Sequence, residues 1–173
     1  MKMLRRGLLA LAVSAGMAAG ATLVAADGPS KSPGRPYVPS AWQGLYGGVH
    51  LGHGEVGNFD DGLLGGIQIG RNWQSGNIVY GLEGDISISG MDHVDWMATV
   101  RGRLGYLISP SILLYGTAGL GLVNFGGTET DFVYGLGIEG KLTPTTTVRL
   151  EYLGFADTEI DIIRVGLNFK LNW

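Results

Sequence analysis

Two arginines stand inside an apolar run, "DWMATVRGRLGYLI" (95–108), where Arg101 and Arg103 alternate with Val100, Gly102 and Leu104. The same spacing recurs elsewhere: Glu83 and Asp85 in "GLEGDIS", Glu139 and Lys141 in "GIEGK", Arg149 and Glu151 in "VRLEY", Arg164 and Lys170 in "IIRVGLNFK". On an extended strand, residues two apart point to the same face. These charges therefore share one face of a sheet, and the chemistry they offer is mutual ion pairing. The signs are mixed: Glu83, Asp85, Glu139 and Glu151 against Arg101, Arg103, Lys141, Arg149, Arg164 and Lys170.

Other reactive groupings carry less. "GLGIEG" places Gly135, Gly137 and Gly140 in a dinucleotide-like pattern, but the turn "KLTPT" follows where such a site needs a helix. His50, His53 and Glu55 could ligate a metal, yet a strand does not bring them to one side and no fourth ligand is evident. We read the histidines as solvated or interfacial. Ser89, Asp92 and His93 lie together in one link, which is not the geometry of an activated nucleophile. The sequence is read as non-enzymatic and without a cofactor, catalytic residue or metal site. Acidic links could hold divalent cations through carboxylate oxygens; a solvated acidic rim is the simpler reading.

The elements that position the charges follow from period-two alternation. It predicts strands at about 42–52, 62–73, 77–88, 95–107, 111–122, 131–141, 145–154 and 162–173. Runs of about ten residues match a tilted membrane-crossing strand. The tight turns "QSGN" (74–77), "ISPS" (108–111) and "LTPT" (142–145) alternate with links expected to be longer, around 54–61, 89–94, 123–130 and 155–161. Those links and their shoulders hold ten of the fifteen acidic residues and no Lys or Arg.

The opposite face is apolar, and its aromatics Tyr80, Trp96, Tyr106, Tyr134, Tyr152 and Trp173, with Trp42, fall mostly near strand ends. That is the place of an interfacial girdle. The expected fold is all-β: an eight-stranded antiparallel up-and-down transmembrane β-barrel with its charges inside. A soluble lipocalin-like barrel, turned the other way, is the alternative. In the membrane arrangement, antiparallel pairing sets Glu83 against Arg101, Glu139 against Arg149 and Glu151 against Arg164. An eight-stranded interior has room only for side chains, so a plugged lumen is expected rather than an open pore.

Composition agrees. Glycine supplies 31 of 173 residues, against roughly 7% in ordinary proteins, and half of the charged face is glycine. There is no cysteine, so no disulfide framework or thiolate metal site. Residues 1–26 read as a signal peptide: basic "MKMLRR", then small apolar residues, then "VAA". Residues 27–41, with Pro29, Pro33, Pro36 and Pro39, read as a Pro-rich lead-in on the periplasmic side, and 42–173 as the barrel. Removing the signal takes away Lys2, Arg5 and Arg6, leaving nine basic against fifteen acidic residues and arguing against nucleic acid as a partner.

The segments "WQGLYGGVHLGHG", "LLGGIQIGRNWQSGNIVYGLEGDIS", "WMATVRGRLGYLISPSILLYGTAGLGL", "VRLEYLGF" and "IIRVGLNFKL" resemble the small outer-membrane β-barrel proteins of the OmpA/OmpX-like superfamily. Within it they are most similar to the alphaproteobacterial surface-antigen, porin-like branch. The resemblance implies an integral barrel of the Gram-negative outer membrane with roles in envelope integrity and in host or surface interaction. Its partners would be outer-membrane lipids, lipopolysaccharide and, through the last strand, the barrel-insertion machinery. A narrow channel for ions or small solutes is the functional alternative.

Overall fold

Strands form wherever alternation runs, and each hydrogen-bonds to the next. The computed structural model describes residues 41–171 apart from 57–59, 92–93 and 125–126. Its elements are β1 (Gly44–Val56), β2 (Asp60–Ser75), β3 (Ile78–Met91), β4 (Val94–Ser109), β5 (Ile112–Asn124), β6 (Thr128–Lys141), β7 (Thr146–Phe155) and β8 (Ile160–Leu171). Every neighbour is antiparallel, and β8 pairs with β1 to close the barrel. Closure leaves no strand edge unpaired. Gly76 turns β2 into β3 with a φ of 60°, a left-handed conformation that glycine adopts without a Cβ clash. The expected signal peptide, and the lead-in up to residue 40, lie outside the described residues, as do His93 and Asp92.

The strands outrun their expected ends on one side, and this corrects the expected contrast between tight turns and long links. Connections at the end where β1 begins and β8 finishes, the near end, are 76–77, 110–111 and 142–145. Those at the far end are 57–59, 92–93, 125–127 and 156–159, hardly longer. Apolar alternation stops before the ladder does: Glu55 still pairs in register with Asp61, and Val123 with Glu129. Backbone pairing needs no apolar side chain, so polar strand ends read as loop in the sequence.

Burial is inverted relative to a water-soluble domain. The largest fully buried side chains are Arg101, Arg149 and Arg164, whereas Leu51, Leu63 and Ile88 are each more than 70% exposed. Among the described residues, twenty-nine large hydrophobic side chains are exposed. Soluble monomers rarely expose contiguous apolar patches beyond a few hundred Å², whereas a surface facing hydrocarbon demands them.

Inside, bulky aromatics need room that the opposite strand must vacate. Tyr115 lies opposite Gly137 and Tyr46 opposite Gly70, and a Cβ on either glycine would run into the facing phenol ring. Replacing Gly137 by leucine is therefore expected to cost about 1–3 kcal/mol of overpacking. Gly140→Leu, where a Cβ meets nothing within 4 Å, is expected to be near neutral. Comparing the urea midpoints of the two refolded variants in detergent checks this.

The lumen as candidate functional site

The inward face is built in three layers. At the far end an apolar layer joins Leu64, Met97, Val123, Val133, Leu153, Phe155, Ile160 and Ile162. Asp131 fastens the β7–β8 connection over it, accepting from the backbone N–H of Asp157 (2.9 Å) and Thr158 (2.8 Å) and from the Thr158 hydroxyl (2.6 Å). At the near end a second apolar layer joins Trp42, Val79, Leu107, Leu113 and Tyr115.

Between them lies the ionic layer: Arg101, Arg103, Arg149 and Arg164 with Glu83, Asp85, Glu139 and Glu151, all buried. Four guanidiniums meet four carboxylates, so the layer balances its own charge. Arg101 donates to Glu83 and Asp85, both at 2.7 Å. Arg164 donates to Glu151 at 2.7 Å and to Asp85 at 3.1 Å. Arg149 reaches Glu83 at 2.5 Å, and Arg103 reaches Glu139 at 2.6 Å.

The register sets Glu83 opposite Arg101, Glu139 opposite Arg149 and Glu151 opposite Arg164. Two of these facing pairs bond to each other. The third is a correction: Arg149 of β7 crosses the lumen to Glu83 of β3, while Glu139 of β6 takes Arg103 from β4, two strands away. In so narrow a barrel the opposite wall is as near as the adjacent strand. Phenols complete the layer. Tyr46 donates to Glu83 at 2.6 Å and accepts from Arg103, while Tyr115 donates to Glu151 at 3.0 Å. The Arg103 guanidinium lies 4.0 Å from the Tyr115 ring centre and 5.8 Å from that of Tyr46, positions suited to cation–π attraction.

Lys141 and Lys170, expected in the network, stand outside it. Both line a cavity of about 40 Å³ at the near mouth, and the Lys141 ammonium sits 4.7 Å from the Trp42 ring centre. They stand at the near ends of β6 and β8, where Glu139 lines the same cavity. Trp42 is a further correction. It is buried rather than at the girdle, its indole N–H donating to the Pro110 carbonyl at 3.2 Å. It precedes β1, so strand parity does not fix its side. Tyr80, Tyr106, Tyr134 and Tyr152 face outward and are exposed, Trp96 is half-buried, and Trp173 lies outside the described residues.

Sequence reasoning missed His50. It is buried in the lumen, with Nδ1 2.6 Å from Gln68 Oε1 and Nε2 2.8 Å from the Ser87 hydroxyl. Gln68 donates its amide N–H to Asn168 Oδ1 at 2.8 Å, which turns the Gln68 oxygen toward His50. Nδ1 therefore donates and Nε2 accepts from Ser87. A hydroxyl donating to a histidine is the bonding of an activated nucleophile, but both groups are sealed within the wall. The signal was available, since His50 shares parity with Gly48 and Gly52 on the glycine-rich face. His53 and Glu55 point outward, and His53 lies 3.5 Å from Asp61. His50 and His53 thus stand on opposite sides of the wall and cannot share an ion.

A family profile described as outer membrane protein beta-barrel domain matches residues 8–171. The chain belongs to this family. A 22 kDa outer membrane protein of Rhizobium leguminosarum bv. viciae is 38% identical over 141 residues, covering 68% of this chain and 65% of that protein, so the match spans just under two thirds of the relative's length. A 25 kDa outer-membrane immunogenic protein of Brucella ovis is 31% identical, covering 87% of this chain and 90% of its own. Among solved structures, the N-terminal β-barrel domain of Pseudomonas aeruginosa OprF aligns with a TM-score of 0.51 at 14% identity, covering 75% of this chain and 99% of that one. The attachment invasion locus protein Ail of Yersinia pestis aligns at 0.50 and 15%, covering 73% and 96%. These likenesses concern the fold. As an outer membrane β-barrel, the protein turns its apolar face to lipid, which removes the soluble lipocalin-like alternative.

Proposed function

We propose that this outer-membrane barrel is a closed structural and surface element of the envelope, neither a solute channel nor an enzyme. The charge-balanced ionic layer, capped by apolar layers at both ends, carries the reading. The near end, with the tight turns and both strand termini, faces the periplasm, and the far end faces outward. There Glu55, Asp61 and Asp161 stand in one cross-strand row on the outer surface, and Glu129, Asp157 and Glu159 are exposed on the rim. No Lys or Arg joins them among the described residues. Brucella relatives carry the name outer-membrane immunogenic protein, which supports a rim exposed at the cell surface. Lipopolysaccharide and a host or surface ligand are the partners proposed for it, and the barrel-insertion machinery for the last strand.

Deleting the gene tests the role. Cells without the barrel should take up a hydrophobic dye faster, and a plasmid copy should restore the barrier. Unchanged uptake across growth conditions would overturn the envelope role.

A further inference from the structure

Most inward glycines are required by packing: a Cβ at Gly48 or Gly81 would strike backbone oxygen. Several outward ones are not, among them Gly47, Gly84, Gly102, Gly116 and Gly140. A Cβ at Gly84 would meet only the Thr99 carbonyl at 3.6 Å, and one at Gly47 only Leu171 at 3.6 Å and the Gln68 carbonyl at 3.8 Å. These are ordinary contacts, so the barrel itself does not need glycine there, and glycine inside a strand weakens it. Gly47 and Gly84 flank Ile69 in one cross-strand row. Together with Ile67 and Ile86 they line an apolar depression of about 540 Å³ on the lipid-facing wall.

One row nearer the periplasm, Arg71 stands between Leu45 and Leu82. It is exposed, and it is the one Lys or Arg among the described outward-facing strand residues. Its guanidinium lies 5.5 Å from the Trp73 ring centre, and Trp73 stacks on Tyr80 with centroids 5.9 Å apart and planes 18° apart. Stacked aromatics of this kind mark headgroup level. The rise from Arg71 to the depression is two residues, about 7 Å along the strand, comparable to the step from a lipid phosphate to its acyl chains. A guanidinium fork matches phosphate oxygens, and the two glycine notches leave room for chains on either side of Ile69.

We propose that Arg71, Trp73 and Tyr80, with the depression at Gly47 and Gly84, bind one anionic glycerophospholipid of the periplasmic leaflet. The inference rests on the membrane reading of the outer wall but not on the closed lumen.

Native mass spectrometry of the protein purified in detergent, delipidated and titrated with dioleoyl phosphatidylglycerol or dioleoyl phosphatidylcholine, tests it. Wild type should retain one phosphatidylglycerol in preference to phosphatidylcholine. Arg71→Gln should weaken that binding about fivefold, as expected for one interfacial basic residue. Gly84→Leu should lower retention of both lipids by filling the depression. Both variants should keep the folded gel migration of the unheated barrel. Equal retention by wild type and Arg71→Gln would overturn the proposal. So would displacement of the lipid by free glycerophosphoglycerol at equal concentration, or a wild-type dimer that excludes lipid and is lost in Gly84→Leu.

Discussion

Glu83→Ala will unfold at lower urea than wild type by the equivalent of about 3–5 kcal/mol, the cost of leaving a buried ion-pair partner uncompensated. Glu83 holds Arg101 at 2.7 Å, Arg149 at 2.5 Å and the Tyr46 hydroxyl at 2.6 Å, with Arg103 and Arg164 each at 3.7 Å. Its loss leaves four buried guanidiniums facing three carboxylates. Glu83→Gln should recover only part of the loss, because the amide keeps the volume and one acceptor but not the charge. Glu129→Ala, an exposed rim carboxylate, should stay within about 0.5 kcal/mol of wild type. Equilibrium unfolding of the refolded barrel in detergent micelles compares all three. Equal small effects for Glu83 and Glu129 would mean that water fills the lumen.

The second large effect lies on the other face. Val100 is 68% exposed near the middle of β4, and Val100→Arg should cost about 2–4 kcal/mol in a bilayer, the penalty for a cation near the midplane. Ile108→Arg, at the near end of the same outward face, should cost about 0–1 kcal/mol because its side chain reaches the interface. Folding titrations into lipid vesicles measure both. On a water-facing wall the two substitutions would be indistinguishable, so the depth dependence is the informative quantity.

Strand identity and register were legible in the sequence because two local rules determine them. Alternation places Glu83, Arg101 and Glu151 on one face, and turn position sets which residues lie opposite. The partner of Glu139 was not legible: Arg103 reaches it past the intervening strand β5, and no facing-pair register encodes that. The apolar layers were obscured for a different reason. Alternation assigns apolar residues to lipid, so an inward Leu64, Leu113 or Ile162 reads as an irregularity. Their mark is the doublet: Leu63–Leu64, Leu113–Leu114 and Ile162–Ile163 make both faces apolar where the lumen is capped. Trp42 escaped because it lies before the first strand, where parity has no meaning. The length of the far hairpins escaped because hydrogen-bonded strands continue after hydrophobic patterning ends.

The ionic layer explains how so many charges can sit inside a membrane protein: four guanidiniums and four carboxylates neutralise one another, and the proposal of a closed lumen follows from it. Single-channel recording of the purified barrel in a planar bilayer tests this most directly. Wild type should insert, as judged by its folded gel migration in the recovered membrane, and show no steady conductance at either polarity. Reproducible, uniform conductance steps from wild-type protein would contradict a closed lumen and make Arg101 and Arg103 the lining of a pore.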